Sequence, residues 1–216
     1  MRRNQESRRL WSSHGLFLGL GAVFLAWSLL WGDQLALAHQ EAMTAWFNHL
    51  PQTVRLGIKW ALWIFYLGYA VCFAVGLRRG DRRLVRAALI YLAAQLIFSL
   101  LVVRLLKMGL GRPRPFAFQT GWSPLTFDAD HHAMPSGHAA DATIGYGVAV
   151  RFFHSGWVRV LSLVLALLIL ASRVAGGQHH PSDVATGALI GYLGSVFLPI
   201  LWVVWLEAKL VDRKKL

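Results

Sequence analysis

The sequence predicts an all-α, polytopic membrane protein, a six transmembrane helix bundle built as the single domain 1–216. Three observations predict it. The chain is 56% hydrophobic over 216 residues, with a mean hydropathy of +0.48, above the roughly 45–50% apolar content of soluble domains. Six apolar runs are visible, at about 15–31, 56–77, 84–106, 135–153, 158–175 and 184–205, each long enough to cross about 30 Å of hydrocarbon as a helix. The net charge of +12 is gathered into short clusters between these runs. That distribution is a topology signal and argues against a nucleic-acid partner.

The first run follows Arg2, Arg3, Arg8 and Arg9 and precedes Ala36-Leu37-Ala38, which resembles a signal-peptide cleavage site. The run is long for a signal core and Asp33 intervenes, so an uncleaved first helix is expected. The second and third runs are joined by Arg78, Arg79, Arg82 and Arg83, and the fourth and fifth by Arg151 and Arg159. Lys209, Arg213, Lys214 and Lys215 follow the sixth. These segments alternate with the others, so the positive-inside rule makes them cytoplasmic. The expectation is a multi-pass protein of the plasma (inner) membrane with both termini cytoplasmic. Trp31, Trp157, Trp202 and Trp205 sit near helix ends, where interfacial anchors are expected. The fourth run is the weakest, since it holds Asp141, several glycines and Arg151.

Three segments are left to face outward. Segment 32–55, with apolar residues at Leu35, Leu37, Met43, Trp46, Phe47 and Leu50, reads as an amphipathic helix on the membrane surface. The other two, 107–134 and 174–183, hold most of the unusual residues. Cys72 is the one cysteine, so neither an intramolecular disulfide nor a thiolate metal site can form.

A phosphoester reaction needs cations on the phosphate oxygens, a nucleophile in line and an acid for the leaving oxygen. Lys107, Arg114 and Arg173 can supply the cations, Arg with planar two-point contacts and Lys as a point charge. Ser136 and Gly137 stand where the fourth helix should begin, and free N–H groups at a helix N-terminus form an anion site that Gly leaves open. His138 then stands beside the phosphate. In His179-His180-Pro181-Ser182-Asp183, Pro181 suits the first position of the sixth helix. Asp183 in the first turn can reach back to hold one nitrogen of His179, leaving the other as a nucleophile.

Lys107, six residues, Arg114-Pro115; then Pro135-Ser136-Gly137-His138; then Ser172-Arg173, five residues, His179, three residues, Asp183: this set resembles the three-part signature of the type 2 phosphatidic acid phosphatase family, whose superfamily includes vanadium haloperoxidases and glucose-6-phosphatase-like enzymes. The resemblance implies a six-helix bundle that hydrolyses a lipid phosphate or pyrophosphate through a phosphohistidine on His179. It implies His138 as general acid, Asp183 as the partner of His179, and Lys107, Arg114, Ser136, Gly137 and Arg173 as phosphate ligands. It implies no metal; no other cofactor is expected, and the charge pattern puts the active site on the extracytoplasmic face.

Other readings of single residues remain. Arg104 and Lys59 read as snorkelling charges. Asp141 reads as a first-turn acid, with orientation of His138 as the alternative. Arg112 is a spare cation that could meet a second phosphate or a lipid headgroup. His131, His132 and His180 raise a metal reading, but only Asp128 and Asp130 accompany them. Two rival functions stand beside hydrolysis: phosphoryl transfer to a lipid acceptor, and a small histidine-rich transporter. The latter calls for ionisable groups near the bilayer midplane, whereas these cluster at helix ends. The sequence does not fix the lipid, among undecaprenyl pyrophosphate, phosphatidylglycerol phosphate, phosphatidic acid and lipid A phosphates, nor an oligomeric state.

Overall fold

The computed structural model describes residues 19, 21–117 and 121–212, with 202–212 as backbone only. The arginines of the N-terminal arm, the start of the first run and Arg213, Lys214 and Lys215 lie outside the described residues. All regular structure among the described residues is helical.

Helix α1, Gly21–Ala38, includes a π-helical turn at Ser28–Gly32. Segment 32–55, expected as one surface helix, is instead divided. Its first residues complete α1; α2 (Gln40–His49) follows a break at His39, and α3 (Gln52–Trp60) follows Pro51. Pro51 has an extended backbone, as suits a residue that opens a helix without an N–H to satisfy. The second apolar run is therefore shared between α3 and the membrane helix α4, Leu62–Arg79, and Lys59 falls in the last turn of α3.

The turn after α4 is chemically specified. Gly80 takes the left-handed conformation that ends the helix, and the Asp81 carboxylate accepts the N–H groups of Arg83 at 2.8 Å and Leu84 at 3.3 Å to start the next. Helix α5 then runs as Arg82–Ala94, a π-helical segment Gln95–Val103, and Arg104–Leu110. After the outer loop come α6 (Gly137–Phe152), α7 (Gly156–Ala175) and α8 (Pro181–Asp212).

Among the described residues, five stretches are long and apolar enough to cross a membrane: Gly21–Ala38, Leu62–Arg79, Arg82–Ala117, Gly156–Ala175 and Pro181–Leu201. The protein is a multi-pass membrane protein. The fourth apolar run forms α6, a helix of 16 residues that does not reach the same length. Its weak apolarity has a structural reason. Ala139, Ala140, Ala142, Ile144 and Val148 are fully buried, so α6 is the central helix, surrounded by protein rather than lipid.

Helix α6 packs most extensively on α8. A Cβ at Gly187 would collide with the Ser136 backbone, and one at Gly191 with that of Ala140. The two helices therefore cross at backbone contact, the small-residue packing typical of membrane bundles. On the other side, Tyr69 of α4 stacks on Tyr91 of α5 at 4.1 Å between centroids, and its hydroxyl donates to the Gly145 carbonyl at 2.8 Å. The contacts with α8 fix the start of α6, where the chemistry-bearing residues lie, and Tyr69 holds its middle.

Candidate active site

The site is built where the end of α5, the start of α6, the end of α7 and the start of α8 meet. Gly111, at φ +59°, ends α5 by turning the chain away, and the Ser123 carbonyl packs where a Cβ would stand. The outer loop then folds back on itself. Ser123 N–H donates to Gly111 O at 2.7 Å, Ala133 N–H to Arg112 O at 3.0 Å and Arg114 N–H to Asp130 O at 2.8 Å. Side chains of the expected clamp hold the same loop. Lys107 Nζ donates to His132 O at 3.1 Å, and Arg114 Nε to Ala129 O at 3.1 Å.

Met134-Pro135 is a cis peptide. Ser136 then takes the N-cap position of α6 with an extended backbone, but its hydroxyl makes no cap bond. That Oγ is buried and lacks a partner among the described residues. Ser136 N–H donates to Asp183 O at 2.8 Å, which locks the start of α6 to the start of α8. The first N–H groups of α6 are thus left free beside an unused hydroxyl, as an anion site requires. His138 is exposed at this end, with Arg173, His179, Lys107 and Arg114 as its charged neighbours. Arg173, at the end of α7, donates to Gln178 Oε1 at 3.1 Å, while its carbonyl accepts His179 N–H at 3.2 Å. The structure therefore brings Lys107, Arg114, Ser136, Gly137, His138, Arg173 and His179 to one end of the bundle.

Helix α8 begins at Pro181 with Asp183 in its first turn, as the sequence predicts. The expected bond from Asp183 to His179 is longer than anticipated. His179 Nδ1 lies 3.7 Å from Asp183 Oδ2, beyond hydrogen-bond length, and 2.8 Å from the Ala133 carbonyl. The Ala133 carbonyl is the nearer acceptor, so it sets the tautomer, with the proton on Nδ1 and Nε2 free. Burial lowers the pKa of His179 below the ordinary imidazole value, partly offset by Asp183.

Asp183 is completely buried and its oxygens are otherwise engaged. Oδ2 accepts His180 N–H at 2.8 Å, and Oδ1 accepts Arg112 Nη1 at 2.7 Å. Arg112 is therefore not a spare cation. It also reaches Asp33 of α1 at 2.7 Å and Ser182 Oγ at 2.6 Å. Sequence reasoning gave Asp33 no role; a lone acid at the outer end of an apolar run, facing a loop rich in arginine, was the available signal. Asp141 is not a first-turn acid either. It lies in the second turn of α6, with Ser99 and Tyr66 in reach of its carboxylate.

Of the three histidines that raise a metal reading, two are engaged separately: His131 pairs with Asp128 at 3.1 Å, and His132 meets Thr126 O at 2.9 Å. The Nδ1 of His180 is buried without a partner among the described residues. Among the described residues, no group of three His, Cys, Asp or Glu side chains gathers to hold a metal.

A cleft of about 400 Å³ leads from this end into the membrane-spanning region. Lys107, Gln95, Leu96, Ser99 and Leu100 of α5 and Gly137 and Asp141 of α6 line it. Leu96 and Leu100 are exposed on the lipid-facing surface.

The family model of the PAP2 superfamily matches residues 87–207. The chain belongs to the PAP2 superfamily. The match takes in every residue of the site just described except those contributed by α1. Among curated PAP2 relatives, a lipid A 1-phosphatase of Rhizobium etli is 32% identical over 116 residues, covering 52% of this chain and 49% of that one. An undecaprenyl-diphosphatase of Sulfolobus acidocaldarius is 29% identical over 102 residues, covering 47% of this chain and 49% of the relative. The chain spans about half the length of the curated relatives it matches. The fold is similar to the crystal structure of a transmembrane PAP2 type phosphatidylglycerolphosphate phosphatase from Bacillus subtilis. The TM-score is 0.59 at 20% identity, with 87% of this chain and 94% of the other covered.

Proposed function

We propose that this protein hydrolyses a lipid phosphate or pyrophosphate at the extracytoplasmic face of the membrane, through a phosphoryl group carried on His179. The observation that carries the reading is the set of His179 itself: Nδ1 held 2.8 Å from a backbone carbonyl, Nε2 unengaged, and Lys107 and Arg114 as neighbouring cations. PAP2 relatives named for lipid phosphate chemistry support it.

The lipid phosphate rests on Lys107, Arg114, Arg173, the Ser136 hydroxyl and the N–H groups at the start of α6. The lone pair of His179 Nε2 attacks phosphorus while the bond to the leaving oxygen breaks. Partial desolvation and the surrounding cations lower the pKa of His138 to about 4 in the free protein, so it takes up a proton as the phosphate charge offsets those cations, and donates that proton to the leaving oxygen. The cations offset charge on the phosphoryl oxygens, so the chain needs no metal for that purpose. In the second step neutral His138 takes a proton from water, the water oxygen bonds to phosphorus, and the N–P bond breaks. His179 is returned neutral and His138 protonated. The cleft beside Lys107 lets the lipid chain remain in the bilayer while its headgroup reacts.

The test is phosphate release by the purified protein across a panel of lipid monophosphates and pyrophosphates. Release from at least one lipid is expected, and His179→Ala should abolish it in a protein that still folds and inserts. Label passing to a lipid acceptor with no free phosphate would replace hydrolysis by transfer. Clear residual turnover in His179→Ala would remove the nucleophile.

A further inference from the structure

Arg112 lies between two carboxylates that are 150 positions apart in sequence, Asp33 and Asp183. Its Nη2 donates to Asp33 Oδ2 at 2.7 Å, and its Nη1 donates both to Asp183 Oδ1 at 2.7 Å and to Ser182 Oγ at 2.6 Å. Ser182 closes the ring: its N–H meets Asp33 Oδ1 at 3.0 Å and its hydroxyl meets Asp33 Oδ2 at 2.5 Å. All four carboxylate oxygens accept a hydrogen bond, and Arg112, Asp33, Ser182 and Asp183 are all buried. Asp33 comes from α1, outside the matched stretch 87–207.

A substrate phosphate could recruit Arg112 only by breaking bonds to two buried acids, so Arg112 does not serve as a phosphate ligand. Isolated buried charges are costly, and three are held here in a line of alternating sign. The consequence falls on the neighbouring imidazole. Asp183 Oδ2 is 3.7 Å from His179 Nδ1, close enough to act through charge though not through a hydrogen bond. How negative Asp183 looks to His179 depends on Arg112, and how positive Arg112 looks depends on Asp33.

We propose that Asp33 and Arg112 form a charge clamp that orients Asp183 and sets the protonation of His179, so that the first helix tunes the site from outside it. Both are positioning residues; neither touches the substrate. The inference rests on the reading of His179 as the nucleophile only for its catalytic consequence, since the clamp acts on the imidazole whether or not it carries phosphate. The groups facing His179 are Asp183 from α8, Lys107 from α5, Arg114 from the outer loop and His138 from α6. From α7 it meets the Arg173 carbonyl. Arg112, Asp33 and His180 stand behind Asp183.

The expected signs are opposite. Arg112→Gln leaves Asp183 uncompensated, favours the imidazolium and should raise the His179 pKa by about one unit. Asp33→Asn leaves Arg112 uncompensated and should lower it by about the same amount. The double variant should return near the wild-type value. A purely structural role would not produce opposite shifts that cancel. The measurement is an NMR titration of ¹⁵N-histidine-labelled protein in detergent, with His179 identified by the signal missing from His179→Gln, run beside the phosphate-release assay. Single variants that shift His179 in one direction, or leave it unmoved, overturn the proposal. If Arg112→Gln does not fold, Arg112→Lys keeps the charge and should leave the His179 pKa unchanged while Asp33→Asn still lowers it; Asp33→Asn without effect overturns the proposal there too. Correct shifts in a wild-type protein that releases no phosphate would remove the hydrolase reading and leave the clamp. Phosphate release with an unmoved His179 would do the reverse.

Discussion

One nitrogen of His179 is spent on the Ala133 carbonyl, and in the proposed reaction that single contact decides which nitrogen can attack. The attacking form is neutral. Burial lowers the pKa, so the neutral form persists below the ordinary imidazole value of about 6.5. On the proposed mechanism the acid limb of kcat/KM that belongs to His179 should therefore fall below that value; a limb above it would contradict a buried, neutral nucleophile. The same shift affects stability. The unfolded chain takes up the proton first, so this contribution is complete above about pH 6.5 and is lost as pH falls toward the folded-state pKa. His138 allows a separate test. A lipid monoester expels an alkoxide and needs a proton in the transition state, a contribution of about 10²–10⁴-fold. A pyrophosphate expels a weaker base and needs less help. With the first step rate-limiting, as a quench experiment can check, His138→Ala should slow monoester hydrolysis far more than pyrophosphate hydrolysis. Equal losses on the two substrates would make His138 a phosphate ligand only. At this scale the motif side chains were legible because their chemistry and spacing are written in residue types. The Ala133 carbonyl was not, since a backbone acceptor leaves no mark on residue identity, and Asp33 needed a contact across most of the chain.

Among the elements, α6 was the hardest to read and is the most instructive. Its glycines and alanines weaken the apolar signal, yet Gly187 and Gly191 of α8 let that helix lie against α6 at backbone contact, which joins Ser136 to Asp183. The run expected at about 135–153 and the helix Gly137–Phe152 differ by two residues at the start, because Ser136 caps the helix from outside it. The division of 32–55 was less legible: scattered apolar residues reveal a surface-seeking segment but not the breaks at His39 and Pro51. The π-helical stretch Gln95–Val103 left no signal in an unbroken apolar run. The crossing makes a prediction. Gly187→Ala places a Cβ against the Ser136 backbone and should cost about 1–3 kcal/mol by overpacking. Because Ser136 must shift to relieve it, phosphate release should fall as well. Gly57→Ala in α3 meets nothing within 4 Å and should leave both thermal unfolding and turnover near wild type. A Gly187→Ala protein that keeps its wild-type melting temperature and rate would show that the crossing has slack.

For the molecule as a whole, the distribution of arginines bears on which side of the membrane the site faces. Arg78, Arg79, Arg82 and Arg83 lie at the α4–α5 turn, and Arg151 and Arg159 lie around the α6–α7 turn. In the sequence-derived topology both turns belong to the cytoplasmic side, and the loop that carries Lys107 and Arg114 belongs to the other. The positive-inside rule then predicts that the site faces outward, since short loops rich in Lys and Arg resist translocation. Phe127 offers a direct reporter. It is 82% exposed in the outer loop, on the face bearing the site. In a Cys72→Ala background, Phe127→Cys should react with a membrane-impermeant thiol reagent in intact cells. A cysteine at Arg79, in the arginine-rich turn, should react only after permeabilisation. The paired design separates orientation from access. A loop folded shut would silence Phe127→Cys in both conditions without making Arg79→Cys reactive from outside, whereas an inverted protein would exchange the two patterns. Inversion would move hydrolysis to the cytoplasmic leaflet and change which lipids can reach the cleft beside Lys107. The expected pattern confines the substrate to lipids whose phosphate is presented on the outer surface.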